Sequence, residues 1–103
     1  MVIYEVNLAV EPEIDVDWRD WIGPHMAELV SLDGFEAANL YRVEAEQETA
    51  TIHYTVQYQV KSREALECYF QEHAPRLRQE GLERFGDRFQ ATRRIYQSVE
   101  AGQ

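Results

Sequence analysis

The chain has 103 residues, a formal net charge of −9 and 28% charged against 45% hydrophobic residues. That length suits one domain with one modest core, and that balance excludes a disordered chain. The acidic excess argues against nucleic acid as a partner, because phosphate contact needs a basic face.

Charge is unevenly spread. Residues 1–60 carry twelve acidic and two basic side chains, and residues 61–103 carry seven and eight. The arginines of the second part (Arg76, Arg78, Arg84, Arg88, Arg93, Arg94) read most simply as a solvated side that pairs with the acidic part. A lone cysteine, Cys68, makes no internal disulfide and points to a reducing, cytoplasmic setting. The first residues carry neither the basic start nor the cleavage pattern of a signal peptide, and no apolar run reaches the length of a membrane span.

Residues 2–10 alternate strictly, with Val2, Tyr4, Val6, Leu8 and Val10 on one side. This predicts a half-buried β-strand that ends at Glu11-Pro12-Glu13. A helix follows, with Asp15 or Asp17 as its N-cap. Its inward stripe is Trp18, Ile22, Met26, Leu29 and Val30. Gly23-Pro24 predicts a kink or split, since proline lacks an N–H and clashes with the carbonyl four residues back. Gly34 stops the helix.

A less regular strand is expected over 35–43, then a polar hairpin connector at 44–48. The strand at 50–60 has the cleanest alternation of all: Ile52, Tyr54, Val56, Tyr58 and Val60 against Thr51, His53, Thr55, Gln57 and Gln59. Ser62 caps a helix over 62–73, with Ala65, Leu66, Tyr69, Phe70 and His73 inward. Pro75 opens a further helix to residue 85, with Leu77, Leu82 and Phe85 inward. A last strand over 88–99 has Phe89, Ala91, Ile95 and Val99 as its apolar set, and residues 100–103 form a frayed tail.

The order β-α-β-β-α-(α)-β predicts an α+β, ferredoxin-like fold: a four-stranded antiparallel sheet with helices on one face and strands one and three in its centre. The opposite sheet face would present Asn7, His53, Thr55 and Gln57. Two readings stand for it. A second copy covers it in a homodimer, since a bare face more often carries Lys and Glu, or it is a solvated monomer surface.

Tyr4-Glu5-Val6-Asn7, the helix segment from Trp18 to His25, Gly34-Phe35 and Ser62-Arg63-Glu64-Ala65-Leu66 resemble the dimeric α+β barrel superfamily. That superfamily includes antibiotic-biosynthesis-monooxygenase-like, EthD-like and muconolactone-isomerase-like proteins. His73-Ala74-Pro75-Arg76-Leu77-Arg78, with Arg84-Phe85-Gly86-Asp87-Arg88-Phe89, resembles an uncharacterised bacterial domain-of-unknown-function family within it. The resemblance implies the fold and a ligand site between sheet and helices. It carries over no catalytic residue and no cofactor, because no established catalytic motif maps onto this chain.

The residues themselves offer two chemistries. His25 and His73 can look into one cleft, and His73 with Arg76 and Arg78 can hold a carboxylate or phosphate. Trp18, Trp21, Tyr4, Tyr54, Tyr58 and Tyr69 can line an aromatic pocket, so that His25, Tyr54, His73 and Arg76 are the candidate residues for a small anionic or aromatic ligand. The plainer alternative leaves the histidines at helix edges and the arginine on terminal carbonyls or acids. No histidine pair has helical metal-site spacing, so no metal is expected. The functional expectation is therefore a small-molecule-binding homodimer. A non-catalytic assembly or regulatory module is the competing class.

Overall fold

A computed structural model describes residues 1–44 and 49–100 of the chain. The expected connector at 44–48 and the end of the tail lie largely outside the described residues. Four strands run β1 (Val2–Val10), β2 (Phe35–Arg42), β3 (Ile52–Val60) and β4 (Phe89–Gln97). Three helices run α1 (Asp15–Val30), α2 (Arg63–Glu72) and α3 (Ala74–Phe85). No helix among the described residues is long and apolar enough to cross a membrane.

The sheet has the order β2-β3-β1-β4, and every neighbouring pair is antiparallel. The two strands with the cleanest alternation therefore sit in the centre, where both edges are hydrogen-bonded. Their register pairs Tyr4 with Tyr58, Val6 with Val56 and Leu8 with Tyr54. Residues directly opposite share a face, so the two apolar phases merge into one surface under the helices. The helices add Trp18, Ile22, Leu29, Leu66, Tyr69, Leu77 and Phe85 to the same buried cluster.

Local signals account for most of the boundaries. Ser62 caps α2 by accepting a hydrogen bond from the Ala65 amide at 3.1 Å. Gly34 turns the chain after α1 at φ +86°, a conformation that favours glycine. A β-bulge near Phe35 and Ala37 accounts for the irregular pattern of β2.

Three expectations change. Neither Asp15 nor Asp17 is the N-cap of α1. A 3₁₀ turn at Pro12–Ile14 runs straight into the helix, so Ile14 holds that position with no side-chain cap. Gly23-Pro24 does not split α1, which continues through Pro24 on its exposed side. Leu82 is 53% exposed, while Ala74, Leu77, Gly81 and Phe85 form the buried stripe of α3. The glycine occupies the inward position because Trp21 and Phe89 leave no room for a side chain. A Cβ on Gly81 would lie 3.2 Å from an atom of each ring.

Candidate functional site

The helices do not fill the whole inner face of the sheet. Between β1, β3 and β4 on one side and α1 and α3 on the other lies a cavity of about 280 Å³. Val6, Leu8, Val56, Ile22 and Leu29 give it apolar walls, and the small residues Ala91 and Gly81 also line it. Leu82, exposed on α3, also lines it.

Its polar wall is built around Tyr4. The Tyr4 ring is held by aromatic neighbours: Tyr58 stacked at 5.9 Å, Tyr69 tilted at 5.8 Å and Phe70 edge-on at 5.4 Å. Its hydroxyl accepts hydrogen bonds from Arg93 Nε at 3.1 Å and Arg78 Nη2 at 3.3 Å. Arg78 also lies over the Phe70 ring, 5.8 Å from its centroid. Arg19, Arg63, Arg76 and Arg88 all have carboxylate partners. Among the described residues, no ion pair forms at Arg78 or Arg93.

The helix wall carries His25. Its ring stacks on Trp21 at 4.4 Å and 27°, and its Nδ1 is buried without a hydrogen-bond partner. Burial holds its pKa below the ordinary histidine value, against the opposing charge of Glu28. Trp21 and His25 also line a second, outward cleft with Asp20, Glu28, Glu80 and Arg84. The stacked pair therefore stands between cavity and cleft.

Of the four residues expected at the ligand site, His25 lies at the cavity and the other three lie elsewhere. Tyr54 stacks on Trp18 at 4.7 Å and donates to Asp15 Oδ1 at 2.6 Å. Burial, with the Asp15 bond and charge, pushes the Tyr54 hydroxyl up to about 12. His73 ends α2, and its ring is 4.0 Å from Glu72. Arg76 ties α3 to α1 through Glu28 at 2.9 Å and reaches Glu80 at 3.3 Å. Tyr4 was expected only as one of several pocket-lining aromatics, and Arg93 was not singled out as a site residue by sequence. A signal for Arg93 existed: it is the charged member of an otherwise apolar phase, Phe89, Ala91 and Ile95.

The opposite sheet face holds a separate network. Glu5, 8% exposed, accepts from Tyr96 at 2.8 Å and from Asn7 and Gln57 at 3.1 Å. Thr55 donates to Asn7 at 2.8 Å. Desolvation raises the Glu5 carboxyl, but the bonds from Gln57, Tyr96 and Asn7 and the charge of Arg94 outweigh it and leave it below the usual range. Asn7, Thr55 and Gln57 thus meet, while His53 bonds aside to Thr51 at 3.1 Å. Among the described residues, no group of three or more His, Cys, Asp or Glu side chains is placed to hold a metal ion.

The sequence profile of DUF4286, a domain of unknown function, matches residues 1–99. The chain belongs to the DUF4286 family. No curated protein matches it in sequence. In structure, this DUF4286 chain is similar to a candidate antibiotic biosynthesis monooxygenase from Deinococcus radiodurans (TM-score 0.72, 16% identity, 100% of this chain and 97% of that one). SnoaB, a cofactor-independent oxygenase from Streptomyces nogalater, superposes with TM-score 0.68 at 9% identity over 97% and 95% of the two chains. An EthD family protein from Bacillus halodurans does so with TM-score 0.66 at 14% identity over 96% and 100%. At these identities the likeness establishes the ferredoxin-like fold and leaves the chemistry to the site itself.

Proposed function

We propose that this chain binds a small ligand with a flat apolar body and an anionic oxygen group, seated in the cavity between sheet and helices. One observation carries the reading. Two guanidiniums converge on the Tyr4 hydroxyl at an aromatic-walled cavity, without carboxylate partners among the described residues, in a chain of net charge −9. Acids are abundant in this sequence, so leaving two cavity arginines unpaired favours an anion from outside. A volume of about 280 Å³ is near the lower end of ligand pockets, roughly 300–1,000 Å³, and restricts the occupant to a small molecule. An oxygenase or isomerase activity is proposed by analogy of fold alone.

Thermal-shift titration with benzoate tests the reading. Arg93→Gln and Arg78→Gln should each weaken the benzoate shift by about tenfold or more in apparent affinity, the effect of losing a charge-assisted bond. Unchanged shifts in both variants would remove the arginines from the site.

The open sheet face supports a second element of the same reading, a homodimer with the two faces apposed. Glu5 is already 8% exposed with that face uncovered, and Tyr41 and Tyr96 stand 50% and 41% exposed on it. The Asn, Thr and Gln bonds leave few free charges to strip of water. Sedimentation velocity at micromolar concentration should give a dimer, and Thr55→Arg should give a monomer. The exposed free thiol of Cys68 suits the cytoplasmic setting proposed for the chain.

A further inference from the structure

The cavity has two unlike ends, and the sheet register puts them in line. The inward positions of β4 that line it are Phe89, Ala91 and Arg93, opposite Val10, Leu8 and Val6 of β1. Two residues of a strand advance about 7 Å, so the Arg93 and Phe89 backbones stand about 13 Å apart with Ala91 midway. Tyr4 lies opposite Ile95, beyond Arg93, and Arg93 Nε reaches its hydroxyl at 3.1 Å. The guanidinium is thus drawn away from Phe89. Tyr58 pairs with Tyr4 across the sheet, so the aromatic lining at this end carries hydroxyls. At the other end it is Trp21 and Phe89, with ring centroids 6.5 Å apart. The helix α3 repeats the order independently. Arg78 reaches Tyr4, and Gly81, three residues on, meets the Trp21 and Phe89 rings. No carboxylate lines the cavity among the described residues.

We propose that the ligand is an amphipathic acid, an aryl carboxylate with an apolar chain para to its charge, and that Ala91 sets the length of that chain. This rests on the cavity reading above and adds the class of ligand and its direction. The carboxylate sits on Arg78 and Arg93, where charge-assisted bonds satisfy it. The ring lies over Val6 and Leu8 of β1. The para chain runs over Ala91 and ends against Trp21 and Phe89. The opposite orientation would strip water from two guanidiniums without pairing them and bury a carboxylate against apolar rings, and both are costly. Ala91 stands midway on the floor of this path. Its methyl is the smallest side chain a strand position can carry, and any larger one there projects into the space the para chain needs.

Isothermal titration of the full chain with benzoate and its 4-methyl, 4-ethyl and 4-propyl derivatives tests this, with 2-propylbenzoate as the isomer of equal apolar area. Each added para methylene should tighten binding about fourfold, and the 2-propyl isomer should lose that gain. Arg93→Gln should weaken every member by one common factor and leave the trend with chain length intact. Ala91→Leu should reverse the trend, so that affinity falls as the para chain grows. Ala91→Val, which suits a strand, is the second variant, with circular dichroism as the check on folding. Equal affinity across the para series, or an equal gain for the 2-propyl isomer, overturns the direction and leaves the cavity reading standing. A folded Ala91→Leu or Ala91→Val that keeps the parent order overturns the role of Ala91. If neither benzoate nor any derivative binds, both readings fall.

Discussion

Gly34→Ala tests the packing that joins α1, β2 and α2. Gly34 has φ +86°, and its carbonyl accepts from the Lys61 amide at 2.8 Å, tying the start of β2 to the end of β3. A side chain at this φ costs about 1–2 kcal/mol. A Cβ on Gly34 would also fall inside the contact radius of the Ala65 Cβ, in the first turn of α2. Ala65 cannot swing away, because its amide is held by the Ser62 cap. Overlap of one methyl in a packed site costs about 1–3 kcal/mol. The stiffer unfolded chain returns about 0.4–1 kcal/mol. The expected net loss is roughly 2–4 kcal/mol, measured by urea unfolding. Ala65→Gly removes the partner methyl and by itself costs about 1 kcal/mol of helix propensity. Combined with Gly34→Ala, it should abolish the overlap and leave the backbone strain. The double-mutant cycle should therefore show a favourable coupling of about 1–3 kcal/mol. A coupling of zero would falsify the steric half of the reasoning. A Gly34→Ala variant as stable as the parent would refute both halves.

Glu5→Gln should destabilise the chain by about 1.5–3 kcal/mol at neutral pH, since three donors lose a charged acceptor. The folded Glu5 carboxyl lies below its ordinary value. Its contribution is present above the usual glutamate range and is lost as pH falls through the folded pKa, so parent and variant should converge in acid unfolding curves. Tyr54→Phe removes the bond to Asp15 and should cost about 1.5–3 kcal/mol in the same urea assay. The folded Tyr54 value is raised to about 12. Its stabilisation is therefore complete below about pH 10 and fades as pH rises toward 12, and alkaline unfolding should show that loss in the parent and not in the variant. Gly81→Ala presses a methyl against Trp21 and Phe89. It should lower stability by about 1–3 kcal/mol and weaken benzoate binding in the thermal-shift assay, because the same rings line the cavity.

Periodicity made the frame legible. The alternations of residues 2–10 and 52–60 fixed both central strands and the face each turns to the helices, and Ser62 marked the start of α2. The centre of the candidate site is written in register instead. Arg93 faces inward because it pairs with Val6, a contact between strands far apart in sequence. Tyr54 was drawn from the expected cleft by Asp15, thirty-nine positions earlier. His73 shares a stripe with Tyr69 and Phe70, yet it falls at the end of its helix, where its carbonyl accepts from Leu77 instead. Arg76 and Arg78 are two positions apart on α3. The helical turn sends one to Glu28 and the other to Tyr4. Spacing along the chain cannot separate them until the neighbouring elements are placed.

The stack of Trp21 on His25 gives this protein an internal optical reporter. The chain has two tryptophans, and Trp18 is 0% exposed and stacked on Tyr54, while Trp21 is the one stacked on the imidazole. An indole 4.4 Å from an imidazole is quenched when the ring becomes a cation, because the cation accepts excited-state electron density. Emission from Trp21 should therefore respond to a change in the charge of His25, and the Trp18 contribution is what remains in Trp21→Phe. Screening for a ligand of the proposed cavity site needs no label, only a fluorimeter and a Trp21→Phe control.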